Sequence, residues 1–95
     1  MSERQAYQEK LEAQLKIWEA EIDKLRAQAE KANAETKAQY FRQLDNLYAQ
    51  HDEARQRYHE MVRAGEDNWR EWQAKSEAAW KDIADGVKAA WDRFR

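Results

Sequence analysis

Cysteine and proline are absent from this sequence, and glycine occurs only at Gly65 and Gly86. Without cysteine there is no disulfide framework and no thiolate chemistry. Strands and tight turns lean on glycine, proline and β-branched residues. The β-branched set here is Ile17, Ile22, Thr36, Val62, Ile83 and Val87. That scarcity excludes an all-β or α/β fold. No window approaches the roughly 20 apolar residues of a membrane span, and the first ten residues, "MSERQAYQEK", hold no apolar signal core. A soluble, cytoplasmic protein is the expectation. Charge of one sign is missing too. Residues 1–65 carry eleven basic and twelve acidic side chains, and residues 66–95 carry six and seven. There is no basic block to neutralise phosphates and no acidic tail.

What is present favours helix throughout. Charged residues make up 38% of the 95 residues, and Ala, Glu, Lys, Gln and Arg dominate. The 42% hydrophobic fraction overstates the apolar material, because seventeen of those residues are alanine and only twenty-three are larger. That is enough for a stripe along a helix and thin for a compact core. Such a stripe must find another helix, in the same chain or in a partner.

The first half keeps a heptad. Leu11, Leu15, Trp18, Ile22, Leu25, Ala29, Ala32 and Thr36 alternate steps of four and three. That spacing sets them on one seam of a helix, as in a coiled coil. From Thr36 the period becomes eleven. Thr36, Leu47, Tyr58, Trp69, Trp80 and Trp91 form one line, and Gln39, Gln50, Met61, Trp72, Ile83 and Phe94 follow three residues behind. A third line runs Gln43, Ala54, Gly65, Ser76, Val87. Eleven residues fill three turns, so a hendecad repeat holds one helix face nearly straight over many turns.

The predicted fold is all-α and a single domain over 1–95: a helix over about 4–63, a bend at 64–68, and a tryptophan-rich helix over about 67–94. Gly65 can take the left-handed conformation that ends a helix, and Asp67 can cap the next. The stretch "RAQAEKANAETKAQ" is a weaker candidate break; its Asn33 is not expected to stop the helix. At 1.5 Å per residue the first helix would be about 90 Å long. The second helix can fold back on residues 36–63 as a hairpin. Leu11, Leu15, Trp18, Ile22 and Leu25 would then be bare, so a homo-oligomer, dimer or higher, is expected. The predicted interface is those five with Tyr58, Met61, Trp69, Trp72, Trp80, Ile83, Val87, Trp91 and Phe94.

No catalytic, cofactor or metal site is expected. His51 and His59 are eight residues apart, about 80° around a helix and roughly 12 Å along it, too far to share one ion. Glu19 with Asp23, and Asp82 with Asp85, read as solvated carboxylates, because nothing in the pattern builds a pocket around them. Ser2 and Ser76 lack an arranged base, and Ser76 falls on the seam as a small packing residue. Arg55, Arg57, His59 and Arg63 lie among Tyr48 and Tyr58, a pattern that can bind single strands. Asp52, Glu53 and Glu60 neutralise it, so nucleic acid is disfavoured. A tryptophan helix can also lie on a membrane surface. Asp82, Asp85 and Asp92 cancel Lys75, Lys81 and Lys88, so a lipid surface is the alternative to the helix–helix reading.

The stretches "AYQEKLEAQLKIWEAEIDKL" and "GVKAAWDRF", with nearly the whole chain between them, resemble a family of short bacterial coiled-coil proteins that has a cyanobacterial stress-response branch. The resemblance implies a soluble bacterial helical protein, linked to stress, and no activity, cofactor or catalytic residue.

Overall fold

Asn33 divides what the heptad joins. The computed structural model describes residues 3–65 and 68–94. They form three helices: α1 (Glu3–Glu30), α2 (Ala34–Arg63) and α3 (Trp69–Phe94). The expected helix over 4–63 is therefore two helices, and this is a correction to the sequence reading. The end of α1 tightens, with the amides of Lys31 and Ala32 donating to the Gln28 and Ala29 carbonyls at 3.2 and 3.1 Å. Asn33 then takes an extended conformation (φ −67°, ψ 165°), and its Oδ1 accepts the Thr36 amide at 3.0 Å. A short polar side chain that bonds its own backbone competes with helix at this point. Burial decides the contest. Breaking the helix gives up a few helical backbone bonds at about 0.5–1.5 kcal/mol each, whereas each large apolar side chain it allows α1 to bury contributes about 1.5–3 kcal/mol.

The second reversal follows the sequence more closely. α2 closes at Ala64, whose amide donates to the Glu60 and Met61 carbonyls. Gly65 sits at φ +77°, the left-handed region that glycine enters without strain. Asp67, expected to cap the last helix, lies outside the described residues, as does the expected helix start at 67.

The helices run up, down and up. α2 and α1 are antiparallel, with Arg4 near Val62 and Asp23 near Tyr48. α3 folds back on α2, with Tyr40 at Phe94 and Gly86 at Leu47. α1 and α3 are therefore parallel, with Tyr7 at Trp69 and Trp18 at Trp80. The molecule measures 51 × 20 × 17 Å, so the expected rod of about 90 Å does not form.

One apolar core runs the length of the bundle. Leu11, Leu15, Trp18, Ile22, Leu25 and Ala29 enter it from α1; Leu44, Leu47, Ala54 and Met61 from α2; Trp69, Trp80, Ile83, Val87, Ala90 and Phe94 from α3. Tyr40, Phe41, Tyr48 and Tyr58 pack on its margin. The five seam residues expected to be bare are covered by helices of their own chain. That removes the reason given above for requiring a second chain. Ile17 at 52% and Val62 at 38% exposure are the large apolar side chains left outward among the described residues.

Candidate functional site: the tryptophan rungs and the α1–α2 groove

The eleven-residue spacing on α3 has a counterpart on α1. Tyr7 and Trp18 are also eleven apart. Because the two helices are parallel, equal spacing puts ring against ring. Tyr7 meets Trp69 with centroids 6.0 Å apart, and Trp18 meets Trp80 at 5.3 Å, both tilted. Such offset aromatic pairs add about 0.5–1.5 kcal/mol beyond the area they bury. The third rung is polar. Trp91 Nε1 donates to Glu21 Oε2 at 2.7 Å across the bundle. At the far end Phe94 stacks on Tyr40 at 4.0 Å.

Small residues make room for these rings. Ser76 is fully buried, and its hydroxyl donates to the Trp72 carbonyl at 2.8 Å one turn back. A Cβ built on Gly86 would stand 2.7 Å from Leu47 Cδ2 and 2.8 Å from Gln50 Oε1. Gly86 is therefore a point where α2 and α3 approach closely for want of a side chain. Trp80 Nε1 is buried without a hydrogen bond. The Tyr7 hydroxyl lies near enough to feel it. Burial pushes the Tyr7 pKa up, and the Glu77 carboxylate adds to the rise.

The predicted interface residues can now be placed. Leu11, Leu15, Trp18, Ile22, Leu25, Met61, Trp69, Trp80, Ile83, Val87 and Phe94 are buried, and Tyr58, Trp72 and Trp91 are half-buried. All of them face this chain's own helices. Trp72 carries Lys75 Nζ over its ring at 4.5 Å. Of the frame positions Gln39 is exposed, and Leu44, outside the frame, is buried. α2 touches both neighbours, so its apolar arc is wider than one line.

The histidines stand in the groove between α1 and α2. This groove of about 200 Å³ is lined by Glu12, Leu15, Lys16, Glu19, His51, Arg55, Tyr58 and His59. His51 Nε2 donates to the Leu15 carbonyl at 2.9 Å, and His59 lies edge-on to Tyr58. Burial raises the Tyr58 pKa, and the nearby Glu12 carboxylate raises it further. Arg55 pairs with Asp52 at 2.8 Å, and Arg57 with Glu60 at 3.3 Å and Glu53 at 3.9 Å. Arg55 and Arg57 of the basic stretch are thus each paired with a neighbouring carboxylate. Among the described residues no group of three histidine, cysteine, aspartate or glutamate side chains could hold a metal ion. Ser2 lies outside them. No described helix is long and apolar enough to cross a membrane.

Residue patterns missed several partners. Tyr7 and Glu21 bear on the core, and Asp23 accepts from the Tyr48 hydroxyl at 3.0 Å. The repeated spacing of Tyr7 and Trp18 was a signal that could have found the first rung. No family model, no curated protein and no solved structure matches the chain.

Proposed function

We propose that the chain is a non-enzymatic structural or interaction protein of the bacterial cytoplasm, linked to stress as the resemblance implies. It works by packing of coiled-coil type, with another copy or with a protein partner. The observation that carries this reading is the engagement of the tryptophan face by α1: Tyr7 on Trp69, Trp18 on Trp80, and Glu21 on Trp91. Trp18, Trp69, Trp80 and Trp91 each have a partner on the facing helix. The outward faces carry charge of both signs in pairs such as Glu12–Lys16 and Glu71–Lys75. Mixed charge of this kind suits the margin of a protein contact better than an anionic lipid surface.

The membrane-surface reading requires α3 to leave the bundle and give up those contacts. Tryptophan fluorescence with and without anionic vesicles separates the two. Emission that is blue-shifted in buffer and unmoved by vesicles is expected. A large further blue shift with vesicle pelleting, abolished by Trp80→Ser and Trp91→Ser, would replace the proposal with the lipid reading.

A further inference from the structure

The buried faces of all three helices stay in one register through the turns. At 3.6 residues per turn, eighteen residues make five whole turns. Leu11, Ala29, Leu47 and Ile83 fall on that spacing, and all four are buried. Leu25 and Met61, thirty-six residues apart, repeat the coincidence, and both are fully buried. Separate helices joined by a turn have no need of a common phase. Each can rotate freely about its own axis to face the core, and the chance of agreement within about 20° is roughly one in nine. A common phase across the α1–α2 turn is what one continuous α1–α2 helix would require.

The turn between them is suited to that change. Its described residues hold no glycine and no left-handed residue, and Asn33 is in the extended region. Moving its ψ from 165° to about −42° continues the helix. The cost is the side-chain cap on the Thr36 amide, and the return is a set of new helical backbone bonds. The other turn contains Gly65 at φ +77° and so resists straightening more strongly. The text around Asn33 is alanine-rich, with Ala27, Ala29, Ala32 and Ala34. These small side chains leave room for two helices to cross.

We infer that this chain forms a domain-swapped dimer in which α1 and α2 become one helix, and α1 of each copy fills the place of α1 in the other. The occupant of the opened bundle is a second copy of the same chain. Every contact of α1 with α2 and α3 is remade across the two chains: Tyr7 on Trp69, Trp18 on Trp80, Glu21 on Trp91. Two antiparallel continuous helices then cross at Ala29, Ala32 and Thr36. This deepens the self-assembly reading proposed above and rests on it.

The test uses the hinge. Asn33→Ala removes the cap and favours helix; Asn33→Gly keeps the turn and penalises helix. Both chains of the dimer gain, so Asn33→Ala should tighten dimerisation by on the order of 10- to 100-fold. Light scattering should show growth of a species at twice 11.4 kDa, while Asn33→Gly stays single. The chain has no cysteine, so Glu3→Cys with Arg70→Cys introduces a unique pair where an α1–α3 ion pair stands at 3.0 Å. A short bis-maleimide linker on that pair should join two chains in the isolated dimer and close within one chain in the monomer. If Asn33→Ala loses its helical circular dichroism, the same linker is applied to the otherwise unaltered hinge, refolded at millimolar concentration, where a dimer linked across chains is expected. Asn33→Ala that folds and stays monomeric overturns the swap, as does a refolded sample with no cross-chain product. A dimer whose linker closes within each chain also overturns it, and leaves self-assembly by surface contact standing.

Discussion

α1 and α3 lie parallel and face each other, yet they hold to the bundle by different means. α1 offers mostly branched aliphatic side chains, Leu11, Leu15, Ile22 and Leu25, with one buried ring, Trp18, and Tyr7 at the margin. α3 offers rings, Trp69, Trp80 and Phe94 buried and Trp72 and Trp91 at the margin, set among the small Ser76, Gly86 and Ala90. An aliphatic stripe packs by area and tolerates many partners. A ring stripe needs space made for it at particular points, and its positions are correspondingly specific. The contrast is between a face defined by quantity and a face defined by fit.

The largest effect should come from the rings. Trp80→Ala should cost about 3–5 kcal/mol, and Leu25→Ala about 2–5 kcal/mol, both read by urea unfolding followed by circular dichroism. The contrast is sharpened if Trp80→Phe recovers little while Leu25→Met recovers most of its loss, since volume-conserving swaps cost under about 1.5 kcal/mol on a face held by area. Equal recovery at both sites would break it.

Gly86→Ala comes next. Alanine gains about 1 kcal/mol in helix propensity, and the added methyl overpacks Leu47 and Gln50 at a cost of about 1–3 kcal/mol. Leu47 is itself buried and cannot swing away freely. A net loss of up to about 2 kcal/mol is expected. A stabilised Gly86→Ala would show that α2 and α3 do not meet as closely as the fit argument requires.

Trp91→Phe keeps most of the ring and removes the bond to Glu21. A loss of about 1 kcal/mol is expected. Glu21→Gln should lose less, because an amide oxygen still accepts.

The pH dependence probes the same α1–α3 seam. Tyr7 has its pKa raised in the fold, first by burial and then by Glu77. The fold therefore holds the phenol proton more tightly than the unfolded chain. Stability from this source is complete below the unfolded value of about 10 and is lost as pH rises through the folded value. Alkaline unfolding monitored by circular dichroism should be shallower in Tyr7→Phe. Identical alkaline profiles would remove Tyr7 from the account.

The smallest effect is expected at the rim of the seam. Arg70 and Glu3 pair at 3.0 Å but are 71% and 74% exposed. Arg70→Ala should change stability by less than about 1 kcal/mol. A larger loss would mean that charge, as well as apolar fit, joins α1 to α3.

The two reversals show how much could be read beforehand. Gly65 announced itself, because only glycine enters its conformation freely. Asn33 did not. An asparagine in alanine-rich text is compatible with helix or with a cap, and the local free energies differ by about 1 kcal/mol. That difference is too small to read locally and is overridden by several kilocalories of burial on α1. The same ambiguity underlies the missed partners. Glu21 is unremarkable in the sequence, and it becomes a contact only once helices from distant segments are set side by side.

The sequence by itself determined that the chain is helical, which side chains form each helix's apolar face, and that Ser76 is a small packing residue on that face. These follow from propensity and period, which act over a few residues. The tertiary structure alone decided that α1 turns back on its own chain, that Tyr7, Trp18 and Glu21 become the rungs opposite Trp69, Trp80 and Trp91, and that Gly86 is a point of close approach. Those outcomes depend on which apolar face covers which. That choice is made by the sum of burial over the whole molecule, and no local pattern of residues contains it.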